Sequence, residues 1–224
     1  TAELAAGSWN KKKYSKAEGV FGRRLGLIGF GAIGRELASR ARAFGMRVSV
    51  FDPFVDAEYA AARKIEVLGQ LDELLGKCDV VSVHVPYRES TRHMIGAREL
   101  GLMKKGALLI HTSRGGVVDD DALAEAVKSG HVRAGLDVFE GEPDAGTAAF
   151  ELPLRGVEGI YMTPHVGAST EQAADAIAAE TVRIIKEFGE RGSVPNVVNL
   201  VTDRTGLYNL VVRHLDRVGV LAGV

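Results

Sequence analysis

A short apolar run, Leu25-Gly26-Leu27-Ile28, opens into Gly29-Phe30-Gly31-Ala32-Ile33-Gly34 and continues as a helix-like repeat. Few sequence features restrict a fold more. A buried strand has to end at Gly29, a helix has to start near Ala32, and the two must lie close together. A bare G-x-G-x-x-G is common in turns. Here, however, Asp52 closes the next strand-like run, VSVF, 18 positions beyond Gly34. In such a unit Gly29 permits the tight turn, Gly31 lets the backbone approach a pyrophosphate, and Gly34 lets helix and strand pack closely. Amides near Ala32 and Ile33 would hold phosphates in the positive end of the helix field, with Arg35 adding a charge contact. Asp52 would accept hydrogen bonds from the adenosine ribose and repel a 2′-phosphate, which favours NAD over NADP.

The alternation continues to the end of the readable pattern. Ile33, Leu37, Ala41 and Phe44 recur at helical spacing up to Gly45. Residues 53–76 are less regular and lead to a strand at 79–85, closed by Pro86. A helical segment near 96–103 precedes a strand at 107–111. The next helix carries Asp119, Asp120 and Asp121 at its positive end, Lys128 in its last turn and Gly130 beyond. Strands at 132–138 and 160–163 follow. Ser169 with Gln172 forms a capping-box pattern opening a helix with Ile177, Ile184, Ile185 and Phe188 on one side. Strands alternating with helices predict an α/β fold, a Rossmann-type doubly wound parallel sheet.

Composition removes several alternatives. With Lys+Arg 28 against Asp+Glu 29, a formal charge of -1, no basic excess points to nucleic acid or a membrane surface. Lys11-Lys12-Lys13 reads as a solvated face. No apolar stretch approaches the roughly 20 residues that span a bilayer. The lone Cys78 excludes an intramolecular disulfide and fits a reducing, cytoplasmic compartment. Standing before the apolar run DVVSVHV, it reads as a buried, inert thiol. No metal ligand set is expected. The chain begins with Thr1 rather than Met, so an earlier segment is expected to precede it.

Three further segments each end on a reactive residue: ALLIHTSRGG on Arg114, VRAGLDVFEGEP on Glu142 and GIYMTPHVGAS on His165. In an open parallel sheet, ligands bind outside the carboxyl ends of the strands, so sequence distance does not separate these groups. A guanidinium can grip a carboxylate at two points and polarise the neighbouring oxygen. An imidazole exchanges a proton near neutral pH. Beside a dinucleotide, these groups suit hydride transfer between the cofactor and C2 of a 2-hydroxy acid. His165 is singled out among six histidines because it follows Pro164 directly after a strand. A carboxylate beside it would orient the ring and stabilise its charged form. Glu142 and Glu140, two residues apart, both qualify on the residues alone. Asp137, at a strand end, reads as a holder of the nicotinamide carboxamide or as a strand-terminating turn residue.

With these residues in view, the chain resembles the NAD-dependent D-2-hydroxyacid dehydrogenases, and within them the phosphoglycerate-oxidising members. GFGAIG, VSVHVP, MKKGALLIHTSRGGVVD, GLDVFEGEP and TPHVGAST match the family motifs in order, over residues from about 7 to 200. The resemblance implies Arg114, Glu142 and His165 as the catalytic residues, Glu142 because the family's glutamate directly precedes proline. It implies cofactor contacts at Ala32, Ile33, Asp52, Val85, Pro86, Thr112, Ser113, Asp137 and the loop His165, Val166, Gly167 and Ala168. The sequence departs from frequent family residues at Arg88, where many relatives have Thr, and at His111, where Asn is common.

The tail TGLYNLVVRHLDRVGVLAGV resembles the start of an ACT regulatory domain, in which His214 and Asp216 fall near effector-contacting positions. The expected organisation is the end of an interdomain helix and linker (1–18, with Trp9 as apolar anchor), an NAD-binding domain (19–190), a linker (191–206) and a truncated ACT-like α+β stub (207–224). An N-terminal substrate-binding domain of roughly a hundred residues is expected outside this chain. The resemblance further implies a 2-hydroxy or 2-keto acid substrate, 3-phosphoglycerate first, with serine as a possible effector and a homodimer formed through the nucleotide-binding domain. Two other readings share the motifs: a reductase of glyoxylate or hydroxypyruvate, and an NADH-responsive corepressor-like binding protein. Residues 1–224 alone are expected to bind NAD weakly and to turn over almost nothing.

Overall fold

The computed structural model describes residues 2–15, 19–144 and 146–197. The ACT-like reading of 207–224, with His214 and Asp216, lies outside the described residues. The chain divides into two compact units, one ending at Thr170 and the other starting at Glu171.

The first unit opens with two short helices, α1 (Ala2–Ala5) and α2 (Lys11–Tyr14). Trp9, expected to anchor this segment, is instead 78% exposed. Then come β1 (Arg24–Ile28), α3 (Ala32–Ala43), β2 (Arg47–Phe51), α4 (Ala57–Ala62), β3 (Glu66–Val67), α5 (Leu71–Lys77) and β4 (Val80–Val83). The second half adds α6 (Ala97–Leu102), β5 (Ala107–His111), α7 (Asp120–Lys128), β6 (Val132–Leu136) and β7 (Ile160–Met162). The seven strands are all parallel, in the order β3-β2-β1-β4-β5-β6-β7. Strand order therefore reverses between β1 and β4, where a crevice opens at the carboxyl edge.

Helices cover both faces, which is why the strands read as continuous apolar runs. Leu25, Leu27, Val48 and Val50 pack with Ala38, Ala41 and Ala60 on one face. Ile28, Val81, Val83 and Leu109 pack with Leu74, Leu100 and Leu123 on the other. The α3 stripe departs from the predicted one. Gly34, Ala38 and Ala41 are buried, whereas Ile33 and Phe44 are 70% and 68% exposed. A Cβ on Gly34 would lie 2.6 Å from the Gly29 carbonyl oxygen. That backbone contact brings Gly34, Ala38 and Ala41 against the sheet, with Leu37 packed beside them.

Within the stretch expected to be irregular, β3 is a two-residue edge strand held by ions. Glu66 receives Ser49 Oγ at 2.7 Å and Lys77 Nζ at 2.6 Å, and pairs with Arg24. The Lys77 and Ser49 donors hold its carboxyl below the ordinary range. At α7 the predicted signals are all present: Asp119 accepts the Ala122 amide at 3.0 Å, and Gly130 ends the helix at φ +70°. Cys78 is fully buried, and burial pushes its thiol up to about 11, so it stays protonated at neutral pH.

The second unit is described as one long helix, α8 (Glu171–Arg191), with the chain continuing to residue 197. It starts within two residues of the predicted Ser169 cap. Glu180 binds Arg183 and Asn196 on its surface. Among the described residues no helix is long and apolar enough to cross a membrane.

Candidate active site

Strand register explains how distant residues reach one place. Phe51, Ile28, Val83, His111, Leu136 and Met162 stand in a single row across β2, β1, β4, β5, β6 and β7. The chain leaves that row at Asp52, Gly29, His84, Thr112, Asp137 and Thr163, all on the same edge.

At the reversal point, Gly29 takes φ +95° and its amide donates to the Phe51 carbonyl at 3.0 Å. A Cβ there would come within about 3 Å of the His84 backbone, so the turn lies tight against the end of β4, beside Val85. Asp52 is fixed by two amides, Phe30 at 2.7 Å and Phe54 at 2.8 Å. An ionised carboxylate has about four acceptor positions, so capacity remains for ribose hydroxyls. Arg35, expected to add a charge contact to the phosphates, is already engaged within the protein. Its Nε donates to the Phe30 carbonyl at 3.2 Å and its guanidinium lies 4.1 Å from the Tyr59 ring centroid.

Gly31 tests whether a dinucleotide fits. It has φ -71°, an ordinary value for any residue, and a Cβ there would meet nothing within 4 Å. Nothing inside the protein requires glycine at this position. It caps α3 without a side chain, leaving the first amides of the helix, those of Ala32 and Ile33 included, for an anion. Gly31→Ala should therefore change the stability of the unliganded protein by no more than about 1 kcal/mol, because the stiffer unfolded chain offsets the poorer helix cap that alanine makes. NAD binding should weaken at least roughly tenfold, about 1.4 kcal/mol. Calorimetric titration with NAD beside a thermal melt measures both, and unchanged affinity would remove the phosphate role from this turn.

The second half of the edge brings the three reactive groups together. Arg114, Glu142 and His165 line one cleft of about 370 Å³ with Tyr87, Gly115, Gly116, Phe139, Glu140 and Gly141. His165 Nδ1 lies 2.6 Å from Glu142 Oε2, while Glu142 Oε1 accepts the Phe139 amide at 2.7 Å. Glu140, the competing candidate, points elsewhere and meets His93 Nε2 at 2.8 Å. Arg114 Nη1 donates to the Ser113 carbonyl at 2.6 Å, which steadies a guanidinium that has five N–H donors.

The loop that presents His165 is held from β6. Asp137 Oδ1 accepts the Thr163 hydroxyl at 2.6 Å and the Val166 amide at 2.9 Å, and Oδ2 accepts the Gly167 amide at 2.8 Å. Burial alone would raise the Asp137 carboxyl, but these donors outweigh it and hold it below its ordinary value. Around Pro164 the His165 amide returns to the Thr163 carbonyl at 3.1 Å, and His165 itself sits at φ +51°. A non-glycine residue in that region is strained and has to be held there. Asp137 therefore shapes the loop through both oxygens, a role the sequence alone did not reveal.

A further residue acts behind Arg114. His111 is 1% exposed, with Nε2 3.0 Å from the Arg114 carbonyl and Nδ1 3.4 Å from Ser113 Oγ. Burial lowers its pKa to about 4, so it is neutral and bonds the loop as a donor and acceptor. The unfolded ring titrates near about 6.5. Between these values the unfolded chain binds the extra proton, so acidification from about 6.5 to about 4 destabilises the fold through His111. Asp120 works in the opposite sense: burial raises it to about 6, so the same acidification stabilises the fold through this carboxyl. The two windows overlap. The revealing quantity is thus the difference between His111→Gln and the parent protein in urea melts at pH 7 and 5. It should move in the variant's favour on acidification, by up to about 1.4 kcal/mol per pH unit. A constant difference would rule out a neutral buried imidazole.

The sequence model described as the D-isomer specific 2-hydroxyacid dehydrogenase NAD binding domain matches residues 1–167. The chain belongs to the D-isomer specific 2-hydroxyacid dehydrogenase family. Among curated relatives of this chain, D-3-phosphoglycerate dehydrogenase of Methanocaldococcus jannaschii is 39% identical over 231 aligned positions, 96% of this chain and 43% of that protein. Hydroxypyruvate reductase of Thermotoga maritima is 44% identical over 191 positions, 84% of this chain and 60% of that protein. Among solved structures, D-lactate dehydrogenase of Aquifex aeolicus, complexed with NAD and lactic acid, superposes with a TM-score of 0.73 at 36% identity, covering 84% of this chain and 60% of that one. The chain thus spans less than two thirds of the length of each. Its matched part is the family's NAD-binding domain, and NAD is the cofactor that the Gly31 cradle and Asp52 fit.

Proposed function

We propose that the protein containing this chain is an NAD-dependent dehydrogenase that oxidises C2 of a D-2-hydroxy acid, with 3-phosphoglycerate as substrate. The carrying observation is the hydrogen-bonded His165–Glu142 pair in the same cleft as Arg114. Bound NAD supplies the hydride acceptor. Arg114 grips the substrate carboxylate and polarises the C2 oxygen. Glu142 occupies Nδ1 of His165, which leaves Nε2 to take the proton of the C2 hydroxyl; in the reverse direction the same nitrogen returns it to the keto oxygen. Glu142 also stabilises the imidazolium as it forms, and Asp137 keeps the ring in its strained position.

Support for 3-phosphoglycerate comes from similarity along nearly the whole chain to the M. jannaschii enzyme and from the ACT-like tail motif, which also suggests serine as effector. A second reading, reduction of hydroxypyruvate or glyoxylate, is favoured by the higher identity to the T. maritima reductase. The full-length protein should reduce NAD with 3-phosphoglycerate at a kcat/KM at least tenfold above that for glycerate, lactate or glycolate. Preference for hydroxypyruvate with NADH would select the second reading, and absence of turnover on every acid would defeat both.

A further inference from the structure

We propose that His93 is a positioning residue of this site, clamping the loop that carries Arg114 to the turn that carries Glu142; the proposal rests on the dehydrogenase reading. His93 is 47 residues from Glu140 and outside every motif quoted above, yet it is bonded to both active-site segments. Its amide donates to the Gly116 carbonyl at 2.8 Å, two residues beyond Arg114. Its Nε2 meets Glu140 Oε2 at 2.8 Å, two residues before Glu142. The backbone sits at φ +46°, uncommon for a residue with a side chain, and it is this conformation from which one residue serves both neighbours. Ile95 extends the seam, donating to Val117 at 3.2 Å and accepting from Asp119 at 3.0 Å.

The turn 139–142 is then held on two sides. Inward, Glu142 bonds His165 and the Phe139 amide. Outward, Glu140 is engaged by His93, by Arg92 Nη2 at 3.8 Å, and through its own amide by Asp120 Oδ2 at 3.1 Å. The charged groups facing His93 are Glu140 and, at 3.9 Å from Nδ1, Asp119. The His93 and Glu140 side chains are 32% and 43% exposed. A pair so exposed contributes little to global stability. Its effect should instead appear where a displacement of about 1 Å matters, in the alignment of Glu142 and His165 with Arg114.

In the full-length enzyme, His93→Ala and Glu140→Ala should each lower kcat about tenfold, with Kd for NAD unchanged and Tm lowered by less than about 4 °C. The double variant should lose no more than the worse single one, because both remove the same contact. His93→Gln, which keeps an N–H donor, should recover most of the rate. The Nδ1 proton of His165, followed by NMR in the unliganded protein, should shift or broaden in His93→Ala. Unchanged kcat, losses that multiply in the double variant, or a loss of Tm without a change in kcat would overturn the clamp. Should the parent enzyme turn over no 2-hydroxy acid, the functional reading fails by itself. The NMR measurement still decides the clamp, an unaltered His165 signal overturning it.

Discussion

On the proposed function, His165→Ala in the full-length protein should lower kcat by roughly 10²- to 10⁴-fold, the range contributed by a positioned general acid or base. NAD affinity should change little, because the phosphate turn at Gly29 and Gly31 and the ribose-facing Asp52, the groups expected to anchor the dinucleotide, follow other strands. The pH profile should lose the limb that reports proton transfer and become flatter over the measurable range. Stability should not fall. The ring is exposed on the cleft side, and alanine keeps the Cβ that makes φ +51° costly, so the backbone strain is carried over unchanged. Stopped-flow measurement of NADH formation, with NAD binding measured separately, tests each part. A variant retaining more than a tenth of the parent kcat would remove His165 from the chemistry and leave Arg114 and the cofactor turn as a binding site alone.

Gly115→Ala should be the most damaging single methyl in the site. A Cβ on Gly115 would lie 1.7 Å from the Phe139 carbonyl oxygen and 2.4 Å from its carbon. Both obstacles are backbone, so no rotamer change relieves them. The loop after β5 and the turn after β6 would have to separate, at a cost of at least about 1–3 kcal/mol. Those two segments carry Arg114 and Glu142, so catalysis should fall by 10²-fold or more even in molecules that fold. Gly31→Ala makes the informative contrast, because the same methyl there meets open space. Thermal melts and steady-state rates on both variants separate a glycine needed for the protein's own packing from one needed for its ligand. Wild-type stability and rate in Gly115→Ala would contradict the close backbone approach.

Much of this was legible in the residues, for identifiable reasons. A parallel sheet covered on both faces writes its central strands as apolar runs, which made β1, β2, β4, β5 and β6 readable. Cap residues such as Asp119 and Gly130 marked α7 at both ends. What escaped depended on tertiary contact. β3 is only two residues long and exists through the Glu66 ion network, for which no local pattern exists. Ile33 and Phe44 share a helical spacing with the packed Leu37 and Ala41 yet are exposed, which spacing alone does not show. Glu140 and Glu142 could not be told apart by spacing, because Gly141 at φ +71° decides which way each carboxylate leaves the turn. The family resemblance, and then the 2.6 Å contact to His165, separated them. Asp137 reads as a nicotinamide contact or as a turn residue; that it also ties down the His165 loop through three bonds has no local signature.

The three bonds from Asp137 to Thr163, Val166 and Gly167 have a consequence for how such a protein can diversify. They moor the imidazole to the neighbouring strand, so its place is fixed before the polypeptide reaches Ala168. Whatever comes afterwards, a longer connection, another helix or an appended module, can be exchanged without retuning the reaction centre. Grafting a foreign downstream segment at that point should preserve catalysis, while the same graft two residues earlier should abolish it.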